Sequence, residues 1–265
     1  KNYDIPDAKT SADRGRAIFK KLGIIGGIPA PDPSKPDPDP SKPDPDPSKP
    51  DSTPSKYPDG VSDIVGKLIT DKTPEKITAL TPEEAAFLVL QNKDADSLNL
   101  NGLTTLDKDT AQKLAAFSGD YLSFDSLTTL DKDTATALAA FKGSKISLDG
   151  LTTLDKDTAT ALAAFDGSDL RLNGLTTLDK DTAQKLAAFS GDYLSFDSLT
   201  TLDKDTATAL AAFGGQYLDL DGLTTLDKDT ATALAGFGGD SISLYGLDKP
   251  IPADVNTALG KFAPK

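Results

Sequence analysis

A fifteen-residue stretch, Leu-Thr-Thr-Leu-Asp-Lys-Asp-Thr-Ala-Thr-Ala-Leu-Ala-Ala-Phe, recurs six times with few changes, each copy 24 residues after the last. The apolar residues that open the units fall at Leu98, Leu122, Ile146, Leu170, Leu194, Leu218 and Ile242. A period of this length marks a stacked array. One such unit cannot bury its apolar face alone, so the units must cover one another in a line.

The unit from Leu98 to Tyr121 shows the local logic. Leu98 and Leu100 alternate with polar residues, which predicts a short strand with both leucines inward. Leu103 and Leu106 carry the turn. Asp107 stands where a helix wants an N-cap, and Asp109 places negative charge against the positive end of the helix dipole. Ala111, Leu114 and Ala115 share one helical face, with the helix expected to run to Phe117. Gly119 follows in the position of a left-handed C-cap, as do Gly143, Gly167, Gly191, Gly215 and Gly239. The same reasoning makes Asp131, Asp155, Asp179, Asp203 and Asp227 helix caps.

This pattern resembles the bacterial leucine-rich repeat over residues ~80–262. The resemblance implies an α/β fold: a right-handed solenoid with parallel strands on its concave face and one helix per repeat. One feature departs from the family. Its Asn three positions after the second strand leucine is replaced by Leu103 and its equivalents. Asn101, Asp125, Asp149, Asn173, Asp197 and Asp221 are expected to satisfy the turn amides instead.

The remaining chain divides around this array. Residues 1–28 predict a short helix from Ser11 to Leu22, and 29–59 hold twelve of the eighteen prolines. Proline fixes φ and removes a donor, so 29–59 reads as an extended spacer. At about 3.1 Å per residue it would reach on the order of 80–90 Å. Residues 60–97 read as a helical N-terminal cap with a capping box, Thr81-Pro-Glu-Glu84. Six 24-residue repeats fill 98–241. Residues 242–265, broken by Pro250 and Pro252, read as the C-terminal cap. A larger period also exists: 98–169 and 170–241 differ at only ten of 72 positions. Recent duplication and deliberate design both produce such identity, so a designed repeat scaffold is one reading of the chain.

Arg14-Gly-Arg-Ala-Ile-Phe19 followed by Gly23 resembles the start of a c-type cytochrome segment. That resemblance implies a Cys-x-x-Cys-His haem box, where this sequence has Ile24, Gly27 and Ile28. As written, the chain takes no cofactor. An electron-transfer role is the alternative if residues 24–28 are a mis-assigned box.

Composition narrows the chemistry. Net charge is −13, and Arg occurs only at Arg14, Arg16 and Arg171, so nucleic acid is an unsuitable partner. No apolar run approaches the roughly 20 residues of a membrane span. Without His or Cys, neither a Ser-His nor a Cys-His nucleophile can be assembled, nor a zinc site of the usual kind. Asp107 with Asp109 would suit calcium, but the pair stands in every unit, as a cap must. The paired threonines that begin at Thr104-Thr105 also suggest flat ice-binding arrays; turn residues are the simpler reading.

Positions 97, 99 and 101 of the strand point away from the leucines. Carried through the units, they place Tyr121, Arg171, Tyr193, Tyr217 and Tyr245 on one sheet face. Tyrosine offers a broad apolar face with one hydroxyl, suited to glycan stacking or protein contacts. Arg171 is the sole difference between units 98–121 and 170–193. The expected protein is therefore a non-enzymatic, extracellular or cell-surface repeat protein. It would act as a fibre or matrix subunit contacting copies of itself, or as a protein- or glycan-binding scaffold.

Overall fold

The computed structural model describes residues 76–264. The predicted helix and haem-box resemblance of residues 1–28, the Pro-rich spacer 29–59 and the start of the N-terminal cap at 60–75 lie outside the described residues.

Helix α1 (Pro82–Gln91) precedes the array, and its start obeys the capping box. The Glu84 amide donates to Thr81 Oγ1 at 3.3 Å, and the Thr81 amide donates to Glu84 Oε2 at 2.8 Å. Strand and helix then alternate. The strands are β1 (Ser97–Asn99), β2 (Tyr121–Ser123), β3 (Lys145–Ser147), β4 (Asp169–Arg171), β5 (Tyr193–Ser195), β6 (Tyr217–Asp219) and β7 (Ser241–Ser243). After β1 to β6 come α2 (Lys108–Leu114), α3 (Lys132–Leu138), α4 (Lys156–Leu162), α5 (Lys180–Leu186), α6 (Lys204–Leu210) and α7 (Lys228–Leu234). Helix α8 (Ala253–Leu259) and a 3₁₀ turn, Gly260–Phe262, follow β7.

The seven strands form one parallel sheet in chain order. Each pairs with the next at an offset of one period, as in Leu98 with Leu122 and Leu122 with Ile146. A strict repeat leaves no other register open, because a slip by one residue would turn every strand leucine outward. The result is the leucine-rich-repeat-like α/β solenoid expected, with one helix per repeat.

Between sheet and helices runs a single core. Leu98, Leu100, Leu103, Ala111, Leu114 and Phe117 are buried in the first unit, and their equivalents are buried in those that follow. The phenylalanines build a continuous stack: Phe117, Phe141, Phe165, Phe189, Phe213 and Phe237 lie 6.1–6.3 Å apart, within 12° of parallel. Phe262 ends the stack, tilted 41° against Phe237.

Two expectations at the helix end are corrected. The helices stop at Leu114 and its equivalents rather than at Phe117. The Phe117 amide bonds instead to Leu114 O at 2.9 Å, a tighter turn that swings the ring into the core. Nor do Gly119 and its equivalents act as left-handed caps. The residue after each of α2 to α7, Ala115 following α2, is right-handed, and among the described residues Gly260, after α8, is the only glycine with positive φ. Glycine is required here by close approach. A Cβ on Gly143 would lie 2.2 Å from Phe141 Cζ and 2.6 Å from Gly119 O.

Candidate functional site

The helix caps and the sheet face were the two candidate groups. At the caps, the Thr110 amide donates to Asp107 Oδ1 at 2.9 Å, and the Thr110 hydroxyl donates to Oδ2 at 3.0 Å. Asp131, Asp155, Asp179, Asp203 and Asp227 hold Thr134, Thr158, Thr182, Thr206 and Thr230 in the same way. These amide bonds, with help from the hydroxyls, hold the five carboxyls below their ordinary range. The threonines were missed by sequence reasoning. They are buried (0–1 % exposed), and the signal was available in the unvarying Asp-Lys-Asp-Thr of every unit.

The second aspartate of that motif has a separate task. Asp133, Asp157, Asp181, Asp205 and Asp229 each face the lysine of the preceding helix at 3.4–4.0 Å. These pairs are exposed, so each contributes only about 0–1 kcal/mol. They knit neighbouring helices, and they divide the carboxylate pair between a cap and a ladder.

On the sheet face, strand register brings Tyr121, Lys145, Asp169, Tyr193 and Tyr217 into one column. Lys145 Nζ lies 4.7 Å from the centre of the Tyr121 ring and 3.5 Å from Asp169 Oδ2. Arg171, one column over, reaches Asp169 Oδ1 at 3.4 Å and lays its guanidinium 5.5 Å from the Tyr193 ring centre. Arg171 and Tyr193 are thus brought together, with Tyr217 beside Tyr193. Tyr121 is separated from them by Lys145 and Asp169. The Tyr193 hydroxyl donates to Asp219 Oδ2 at 2.6 Å. Burial raises the phenol well above its ordinary value, and so does the carboxylate it serves.

The middle column is outward-pointing but largely covered. Ser123, Ser147 and Ser195 are 1 % exposed, because a small side chain sits below its longer neighbours. Each donates to the third column: Ser123 and Ser195 to Asn101 and Asn173 Oδ1, and Ser147 to Asp125 Oδ1 at 2.6 Å.

Four of the six third-column residues take a turn amide, as expected in place of the family's Asn, whereas Asp125 takes the side chains of Asn101, Ser123 and Ser147. Asn101 Oδ1 accepts from the Asp125 amide at 3.0 Å, Asp149 Oδ1 from Asn173 at 3.0 Å, Asn173 Oδ1 from Asp197 at 3.2 Å, and Asp221 Oδ1 from Tyr245 at 2.8 Å. Asp197 departs in its electrostatics. Partial desolvation and the nearby carboxylates of Asp219, Asp221 and Asp149 push its carboxyl up to about 6.

The face therefore has two halves. In the N-terminal half, cations cover tyrosine rings and neutralise Asp169. In the C-terminal half, Tyr217 is 44 % and Tyr245 84 % exposed, beside carboxylates. Among the described residues no group of three His, Cys, Asp or Glu side chains is arranged to hold a metal ion. Nor is any described helix long and apolar enough to cross a membrane. Comparison of the chain with known protein families, with curated proteins and with solved structures gave no match.

Proposed function

We propose that this chain is a non-enzymatic repeat protein of the extracellular or cell-surface space, and that its sheet face is the contact surface for a protein, a glycan or copies of the chain. One observation carries the reading. Tyr217 and Tyr245 are the large hydrophobic side chains left exposed among the described residues; Tyr217 is on β6, and Tyr245 lies two residues beyond β7 with its amide on Asp221 Oδ1. The leucines, isoleucines and phenylalanines of the repeats go to the core or pack against it. Exposed aromatic rings beside polar groups on a rigid scaffold are suited to recognition.

The chemistry of the chain supports a non-catalytic role. No His or Cys is available for nucleophilic or acid–base work near neutrality. The repeated carboxylate pair is engaged in caps and inter-helix ion pairs. The spacer composition of residues 29–59 suits a module held away from its attachment point.

The test is sedimentation velocity over a wide concentration range, with binding to immobilised polysaccharides and proteins in parallel. Wild type is compared with the triple variant Tyr121→Ser, Tyr193→Ser, Tyr217→Ser, its folding checked by circular dichroism. Growth with concentration identifies a building block, whereas a constant monomer that captures a partner identifies a scaffold. The triple variant should lose whichever association is seen. Unchanged association in that variant would remove the contact from the sheet face.

A further inference from the structure

We propose that the C-terminal half of the sheet face, where Tyr217 and Tyr245 flank Asp197, Asp219 and Asp221, docks a partner segment that carries arginine or lysine side chains. The proposal rests on the reading of the sheet face as a contact surface and deepens it by naming the chemistry of the occupant.

The N-terminal half of the same face supplies the pattern. There, Lys145 stands over Tyr121 and pairs with Asp169, and Arg171 lies over Tyr193 and pairs with the same carboxylate. Tyrosine, carboxylate and cation form a closed set, with each ring covered and each charge answered. A cation over an aromatic face is attracted by the ring quadrupole, and a neighbouring carboxylate adds to the attraction.

In the C-terminal half the tyrosines and carboxylates are present, and the cation is not. Strands β5, β6 and β7, with the column residues Asp197, Asp221 and Tyr245, contain no Lys or Arg. Tyr217 and Asp219 are two residues apart on β6, so their side chains leave the same face of the sheet. Asp221 continues that row and receives the Tyr245 amide at 2.8 Å, which sets the second tyrosine beside it. Asp219 holds the Tyr193 hydroxyl through Oδ2, and its Oδ1 takes the Asp221 amide at 3.2 Å. The carboxylates are therefore positioned, not loose. They also repel one another, as the raised Asp197 carboxyl records. A guanidinium or ammonium arriving from outside would relieve that repulsion and cover the exposed rings.

Charge selects the partner. The chain carries −13, which draws cationic segments towards it and disfavours a like-charged second copy on this patch. A bare metal ion is the poorer occupant, since no group of three acidic side chains among the described residues converges on one point.

The experiment uses the full chain and a defined probe: the capped hexapeptide Gly-Arg-Gly-Arg-Gly-Arg, with its citrulline counterpart as an uncharged isostere, titrated by calorimetry at physiological salt. Wild type and Gln112→Ala, a change at an exposed position of α2 away from the sheet face, should bind the arginine peptide alike. Two double variants, Tyr217→Ser/Tyr245→Ser and Asp219→Asn/Asp221→Asn, should each weaken it about tenfold or more. The first removes exposed rings; the second keeps an Oδ1 acceptor at both positions and turns Asp219 Oδ2 into an N–H donor, which the Tyr193 hydroxyl can accept, and melting curves check that each variant folds. The proposal is overturned if wild type does not bind, if the citrulline peptide binds equally, or if neither double variant weakens binding. It is also overturned if calcium displaces the peptide by saturating the same carboxylates. Loss of association in the triple tyrosine variant without arginine-peptide binding would leave the contact face standing and reject only its cationic occupant.

Discussion

The cap at Asp155 joins two costs in one side chain. Its carboxylate accepts from the Asp157 and Thr158 amides at 2.8 and 2.9 Å, and from the Thr158 hydroxyl at 2.8 Å. Thr158 is fully buried. Asp155→Ala therefore removes a helix cap, at about 1 kcal/mol, and leaves a buried hydroxyl without its acceptor, at about 1–3 kcal/mol more. The sum is about 2–4 kcal/mol. Thr158→Val alone removes one hydrogen bond to an ionised carboxylate and keeps the cap, at about 1.5–3 kcal/mol. In the double variant no hydroxyl is orphaned, so the loss should be about 1–2 kcal/mol, and the two changes should couple by at least about 1.5 kcal/mol. Urea unfolding followed by far-ultraviolet circular dichroism measures all four corners of the cycle. Acid gives a second reading. The Asp155 carboxyl is held below its ordinary 3.8, so its contribution is present above that value and is lost as pH falls through the lower folded value. The gap between wild type and Asp155→Ala should close in strong acid. Additive effects at neutral pH would refute the shared bond, and a large calcium-dependent rise in Tm would show that these carboxylates serve a metal instead.

Three further outcomes follow from the same packing. Gly143→Ala should cost about 1–3 kcal/mol, because its Cβ meets Phe141 Cζ at 2.2 Å and Gly119 O at 2.6 Å. Gly214→Ala, with nothing within 4 Å, should be neutral or stabilising by about 0.4–1 kcal/mol; denaturant midpoints compare the two. Phe165→Ala, buried between two stacked rings, should cost about 3–5 kcal/mol. Phe117→Ala should cost less, since Phe117 stacks on Phe141 alone. For Asp197 the sign is opposite to that of the caps. Its carboxyl is raised to about 6, so the folded state binds the proton more tightly, and stability falls as pH rises from the ordinary 3.8 towards 6. Asp197→Asn should flatten that part of the wild-type stability–pH curve, and a curve unchanged by the substitution would contradict the crowding of carboxylates.

The period, the order of strand and helix, the inward leucines and the aspartate caps were legible in the sequence. Each rests on contacts within a few residues or on one offset repeated without variation. Once Leu98 pairs with Leu122, every later register is the same problem solved again. The turn-amide ladder was also within reach, because an Asx residue recurs at the same place in each unit from Asn101 to Asp221. Other features needed the tertiary structure. Gly119 and its equivalents read locally as left-handed caps, yet what demands glycine is a phenylalanine ring folding back and a carbonyl from the repeat below. Ser123, Ser147 and Ser195 were correctly turned outward, but only their neighbours decide that they are covered. Arg171 was placed by its column, whereas its partners Asp169 and Tyr193 lie diagonally, one along its own strand and one across. Strand alternation specifies which face a side chain leaves by. Where a long side chain comes to rest depends on which charges and rings lie beside it, and the Tyr193 ring that receives Arg171 arrives from the next repeat, whose strand pairs at an offset of 24 residues.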